Sequence, residues 1–137
     1  MDKVLIVDDS DFDRKMLRRA IASKHSNIEF TELTSGLQIT DVITQNTPKV
    51  AIIDIRMPGM DGFEVLNAIR ALPQMSDVPV VMISGSEQPQ DREMASAHGA
   101  NGYYVKPPSV SDYFSLGRSI YDQYLCCTTQ GETSTPC

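Results

Sequence analysis

The chain has no apolar run long enough to cross a bilayer. Its longest aliphatic stretches are about four residues, Val4-Leu5-Ile6-Val7 being one, against the roughly 18 a membrane span needs. It lacks a basic excess. Twelve Lys+Arg against eighteen Asp+Glu give a net charge of −6, the wrong sign for a module that grips a phosphate backbone, so no direct nucleic-acid or membrane binding is expected. Cysteine is scarce: Cys126, Cys127 and Cys137 are an odd number, all at the C-terminal end. A disulfide framework would spread its cysteines through the fold. The vicinal pair, with no histidine near it, reads as a helix end. Met1-Asp2-Lys3 runs into the first aliphatic stretch without a small-residue cleavage site, so no signal peptide is read and a cytoplasmic, reduced setting is expected. There is no internal repeat and no linker long enough to separate two domains. At 137 residues, 41% hydrophobic and 22% charged, the chain reads as one folded domain over residues 1–125 with a flexible polar tail over 126–137.

What the chain does have is alternation. Val4–Val7 is a compact run typical of a strand buried on both faces. Ser10 or Asp11 can cap the following helix. Phe12, Met16, Leu17, Ala20 and Ile21 there recur at helical spacing, with Arg14, Lys15, Arg18 and Arg19 mostly on the other face. Ile28–Leu33 alternates as an edge strand does. Leu37–Gln45 reads as the second helix, Val50–Ile53 as the third strand and Asp61–Leu72 as the third helix. Val78–Ile83 is a fourth strand with Pro79 at its start. Gln88–His98 is a polar fourth helix, Asn101–Val105 a fifth strand and Val110–Leu125 a fifth helix. Strand–helix alternation five times over implies a parallel sheet with helices on both faces.

In such sheets ligands bind beyond the carboxyl ends of the strands. Asp8 and Asp9 follow strand one, Asp54 closes strand three, Ser84 strand four and Lys106 strand five. Each alone has an ordinary explanation as a cap, turn or surface charge; their joint placement on one rim does not. Three carboxylates and one ammonium leave a charge deficit that a divalent cation or a proton must relieve. Hard oxygen ligands suit Mg²⁺, with Mn²⁺ as an alternative, and the few His and Cys argue against zinc. A cation and Lys106 to neutralise oxygens, Ser84 to donate and Asp54 as in-line nucleophile make a phosphoryl site.

These residues resemble the receiver domain of two-component response regulators. The likeness lies in Asp8-Asp9, Asp54 followed by Met57-Pro58-Gly59-Met60-Asp61-Gly62, Ser84-Gly85, and Tyr103 with Lys106-Pro107, and it covers about residues 2–124. The chain is similar to the stand-alone, chemotaxis-type members. The resemblance implies an α/β fold of the flavodoxin-like doubly wound kind: one five-stranded parallel sheet, order 2-1-3-4-5, flanked by five helices. Helices one and five would lie on one face, and two, three and four on the other. It also implies that Asp54 accepts a phosphoryl group from a phosphohistidine of a sensor histidine kinase or a phosphotransfer protein. Asp8, Asp9, Asp54 and the Arg56 backbone carbonyl would bind Mg²⁺. Lys106 and Ser84 would contact the phosphoryl group, and Tyr103 would be the switch aromatic that turns inward when Ser84 moves. The Lys106-Pro107 bond would be cis.

Several further expectations attach to that resemblance. Arg56 and Ser86 flank the route of the attacking water and would adjust phosphoryl lifetime, Arg56 by partly covering Asp54. Arg14, Lys15 and Arg18 form a basic face suited to docking a kinase or phosphotransfer helix bundle. The surface of helix four, strand five and helix five would meet a downstream protein target or support a weak dimer of an otherwise monomeric chain. Pro108 stands where a bulky apolar residue is frequent, which puts a family-type dimer face in doubt. The stretch Tyr113–Leu125 resembles regulators paired with phytochrome-type kinases. Only a dozen residues follow Leu125, too few for a helix-turn-helix, so the output would be protein contact or onward transfer. The protein would be no enzyme in the ordinary sense, only an acceptor that catalyses its own modification. Two alternatives remain: a Mg²⁺-dependent aspartyl-phosphate phosphohydrolase, which would want an acid where Arg56 stands, and a receiver cut from a larger regulator.

Overall fold

The computed structural model describes residues 2–85 and 87–125. Ser86, Cys126, Cys127, Cys137 and the tail expected over 126–137 lie outside the described residues. Five strands, β1 (Asp2–Val7), β2 (Ile28–Leu33), β3 (Val50–Asp54), β4 (Val80–Ser84) and β5 (Gly102–Val105), alternate with α1 (Asp11–Ala22), α2 (Ile39–Gln45), α3 (Gly62–Arg70), α4 (Pro89–Ala97) and α5 (Val110–Ile120). All pairings are parallel, in the order β2-β1-β3-β4-β5. The doubly wound fold expected from the sequence is the fold observed.

Side chains alternate across a strand, and the sheet uses this to fill two cores. Leu5, Val7, Ala51, Ile53, Val80 and Met82 face α2, α3 and α4. Val4, Ile6, Val50, Ile52, Val81 and Ile83 face α1 and α5. The strand order reverses between β1 and β3, and there the chain leaves β1 as Asp8-Asp9 and β3 as Asp54. That crevice is where a parallel sheet offers backbone and side chains to a ligand.

Glycine at two positions lets backbones come close. A Cβ at Gly62 would lie 2.5 Å from the Asp54 carbonyl oxygen and 2.6 Å from Ile55 Cα. Gly62 instead donates its N–H to Ile55 O at 2.8 Å, folding the loop after β3 tightly back on itself. A Cβ at Gly117 would lie 2.4 Å from Ala20 Cβ, so glycine there seats α5 directly on α1. Its modest cost in helix propensity is offset by that contact.

Element ends differ from expectation for identifiable reasons. β4 begins at Val80, because Pro79 has no N–H for the ladder, although its carbonyl still accepts from Ala51 N at 3.1 Å. α2 begins at Ile39; Leu37 is 80% exposed and stays in the turn after Ser35-Gly36. The last turn of the fifth helix, Tyr121–Leu125, is π-helical, and both its ends are buried. A 3-10 turn at Pro73–Met75 was not anticipated. Arg70 braces it, donating to the carbonyls of Met75, Val78 and Gly99 and to Asn101 Oδ1. The Lys106-Pro107 bond is trans, correcting the cis expectation. Trans is the lower-energy isomer of an X–Pro bond by about 0.5–1 kcal/mol, and the path from β5 to the Ser109 cap of α5 makes no tight turn at that bond.

Candidate functional site

Each side chain reaches the rim by a local device. Ser10 caps α1 by accepting from Asp13 N–H at 3.2 Å, and its own N–H donates to Asp8 Oδ1 at 2.9 Å. Cap and acid thus fix one another. Asp61 caps α3 in a reciprocal capping box with Glu64, anchoring the far end of the loop that starts at Asp54. Ser109 caps α5 through Asp112 N–H at 3.1 Å. Lys106 leaves β5 after its N–H has bonded Ser84 O at 2.7 Å.

The sequence-expected residues meet. Asp8 and Asp54 are buried and Asp9 is exposed. The three offer carboxylate oxygens that all lie within 4.8 Å of one another. Lys106 Nζ stands 3.1 Å from Asp8 Oδ2 and 3.5 Å from Asp54 Oδ1. Asp8 Oδ2 is buried and lacks a well-aligned hydrogen bond even so, leaving lone-pair capacity toward the crevice. Burial, then the charge of Asp8, pushes the Asp54 carboxyl up to about 7. Burial also raises Asp8, against the opposing effects of Ser10 N–H and Lys106. A buried, mutually repelling, hard-oxygen set of this kind suits a divalent cation. Ser84 is fully buried at the end of β4, one residue beyond Ile83, which registers with Asp54.

One residue, Arg56, falls elsewhere than expected. Arg56 Nη2 donates to Asp91 Oδ2 at 2.7 Å, so its guanidinium is tied to the first turn of α4 instead of covering Asp54. Asp91 is buried, and a lone buried carboxylate attracts the nearest free cation. Tyr103 packs half-buried against the core under α4, with the Arg92 guanidinium 4.8 Å over its ring. Tyr104 alternates to the opposite core, and its hydroxyl donates to Gln123 Oε1 at 3.1 Å.

Arg14 departs from the docking face expected of Arg14, Lys15 and Arg18. Its side chain is only 11% exposed. It donates to Asp8 O at 2.6 Å and Glu32 Oε1 at 3.2 Å, and also to Asp11, so it clamps α1 to β1 and β2. Lys15, Arg18 and Arg19 do face solvent. With Arg14, Asp11 and Glu32 they line a cleft of about 430 Å³.

Asp13 and its partner Tyr113 escaped the sequence reading as site residues. Asp13, in the first turn of α1, accepts from Lys106 Nζ at 2.8 Å and from Tyr113 Oη at 2.5 Å. The signal was present: Asp13 shares the helical stripe of Met16, Leu17 and Ala20, and an acid on a buried stripe needs a partner. Asp8, Asp9, Asp13 and Asp54 against one lysine deepen the local deficit to −3.

This fold and site fit one class, the receiver domains of response regulators, and the comparisons agree. The response regulator receiver domain model matches residues 4–115, and the chain belongs to that family. The transcriptional regulatory protein PrrA of Mycobacterium tuberculosis is 34% identical over 134 residues, which is 97% of this chain and 56% of PrrA. The response regulator MprA of Mycobacterium sp. (strain KMS) is 26% identical over 118 residues, 86% of this chain and 50% of MprA. The chain thus spans about half the length of these curated relatives. Among solved structures, the phosphorylated cyanobacterial phytochrome response regulator RcpA superposes with a TM-score of 0.86 at 25% identity, covering 93% of this chain and 96% of RcpA. Chemotaxis protein CheY4 of Vibrio cholerae gives 0.74 at 28%, covering 88% and 98%. No described helix is long and apolar enough to cross a membrane.

Proposed function

We propose that this chain is a phosphorylation-switched binding module whose acceptor is Asp54. The observation that carries this reading is the placement of Lys106 Nζ 3.5 Å from Asp54 Oδ1, beside three carboxylates whose oxygens lie within 4.8 Å of one another. An Asp54 oxygen attacks the phosphorus of a phosphohistidine on a sensor histidine kinase or phosphotransfer protein. The P–O bond forms as the P–N bond breaks, and the imidazole leaves. Water later attacks the same phosphorus, releasing inorganic phosphate and restoring the carboxylate. Both steps are catalysed by the receiver's own groups, so its role is acceptor and switch and not turnover of an external substrate. Lys106 neutralises charge on the transferring group and Ser84 donates to it.

Asp8, Asp9, Asp54 and the Arg56 carbonyl would hold Mg²⁺ or Mn²⁺, which when bound supplies positive charge to the phosphoryl oxygens. The buried Asp8 oxygen and the clustered carboxylates fit that group. The similar regulator RcpA, 25% identical, was solved in its phosphorylated form, which lends support. Lys15 and Arg18 would receive the donor protein. The surface of α4, β5 and α5 would meet the downstream target, with Tyr103 reporting the state of Ser84, and the chain would be a cytoplasmic monomer or a weak dimer through that surface. A phosphohydrolase is disfavoured by Arg56, which stands where a general acid is required.

Intact mass after incubation with Mg²⁺ and acetyl phosphate tests the reading. The wild type gains one phosphoryl group, removable by hydroxylamine, and Asp54→Asn gains none. Equal labelling of Asp54→Asn refutes the assignment.

A further inference from the structure

Lys106 has more carboxylates around it than a phosphorylated state can keep. Its ammonium carries three donors, and three acids surround it: Asp13 at 2.8 Å, Asp8 at 3.1 Å and Asp54 at 3.5 Å. The nearest, Asp13, comes from a helix and not from a strand end, and is outside the trio whose oxygens cluster for a cation. Tyr113 fixes it. The phenol is buried, 2% exposed, and donates to Asp13 Oδ1, while Lys106 takes Oδ2. With one oxygen held by each partner, the carboxylate has a single orientation. Burial by itself would raise the Asp13 carboxyl. The hydrogen bonds from Lys106 and Tyr113 outweigh it and hold the acid below its ordinary range.

We propose that Asp13, anchored by Tyr113, is a positioning residue that holds Lys106 in the unphosphorylated protein and competes with the phosphoryl oxygens for its ammonium. This rests on the reading of Asp54 as acceptor. A phosphoryl group adds close to two negative charges and three strong acceptors, and Lys106 must turn a donor toward them. The bond to Asp13 is the one free to yield, since Asp8 and Asp54 belong to the crevice itself. Asp13 therefore sets how readily Lys106 leaves its resting partners, a differential interaction that shifts the balance between two states. Loss of Lys106 leaves Asp13 held by Tyr113 alone, whose ring meets Phe12 edge-on at 6.3 Å, so the change is felt where α1 and α5 begin.

Beryllofluoride, which adds to a carboxylate oxygen and imitates a phosphoryl group, tests this as an equilibrium. It is titrated at fixed Mg²⁺ with tyrosine fluorescence as readout and melting temperature measured alongside. Asp13→Asn keeps an acceptor for Tyr113 and removes the charge. It should tighten beryllofluoride binding roughly threefold to tenfold, the scale of one partly screened charge interaction. Asp13→Ala should act in the same direction. In a Lys106→Met background, where binding is weaker overall, Asp13→Asn should make no further difference. A merely structural Asp13 would move the melting temperature and leave the affinity alone. Unchanged or weaker binding by Asp13→Asn, or equal tightening without Lys106, overturns the role of Asp13. A wild type that binds no beryllofluoride overturns the acceptor reading beneath it.

Discussion

The two helical layers of the sheet are built to different standards. On one side, α1 and α5 are both capped by serine side chains, meet through Gly117 against Ala20, and are tied at one end by Lys24 to Asp122 at 3.1 Å. Tyr113, reaching Asp13, ties them near the acidic rim. On the other side only α3 has a side-chain cap. α2 is seven residues long and has no side-chain cap, and α4 has none either and buries only Asp91 and Ala95. Few apolar contacts and open helix ends mark segments that unfold locally at low cost. One layer is the frame that holds the acids in place; the other is where a change of state is cheap.

The strongest way to break that contrast is to add the same side chain to both layers. Gly117→Val drives a branched chain into Ala20 and should cost about 1–3 kcal/mol of stability by urea unfolding. Ala97→Val on the exposed side of α4 should stay within about 0.5 kcal/mol. Equal losses would erase the distinction.

A second test uses pH. The fold raises the Asp54 carboxyl from 3.8 to about 7, so it favours the neutral form. That contribution is complete below the unfolded value and is lost as pH climbs through the folded one. The metal-free protein should therefore melt at a lower temperature near pH 8 than near about pH 5. Asp54→Asn should flatten the profile, and Mg²⁺ should restore stability at the higher pH. A profile unaltered by Asp54→Asn would show that other groups set it.

The smallest expected effect isolates α4. Arg56→Ala strands the buried Asp91 carboxylate and should speed hydrogen exchange in the first turn of α4 while leaving α1 amides unchanged. Acceleration in both helices would mean that the layers open together.

The elements were legible because their periodicities differ: aliphatic runs of four or five residues for the strands, recurring apolar positions three and four apart for the helices. Asp8, Asp54 and Lys106 were legible because each closes a strand, and strand ends of a parallel sheet share a rim whatever the loops do. What escaped depended on reach across the chain. Arg14 shows a charge at a solvent-side helical position, yet its length carries the guanidinium back to Asp8 O and across to Glu32. Asp13 and Tyr113 are 100 residues apart, and nothing local says that a phenol waits for that acid. Arg56 was placed by its nearness to Asp54 in sequence, but its partner Asp91 comes from α4.

The tyrosines carry a practical consequence. The chain has no tryptophan and five tyrosines, at positions 103, 104, 113, 121 and 124, all in β5, α5 and the π-helical turn. Its ultraviolet emission therefore originates in the final third of the polypeptide alone. Tyr103 packs against the core under α4, whereas Tyr104, Tyr113, Tyr121 and Tyr124 pack on the α1–α5 side, so Tyr103→Phe leaves a label-free optical probe of that second side alone.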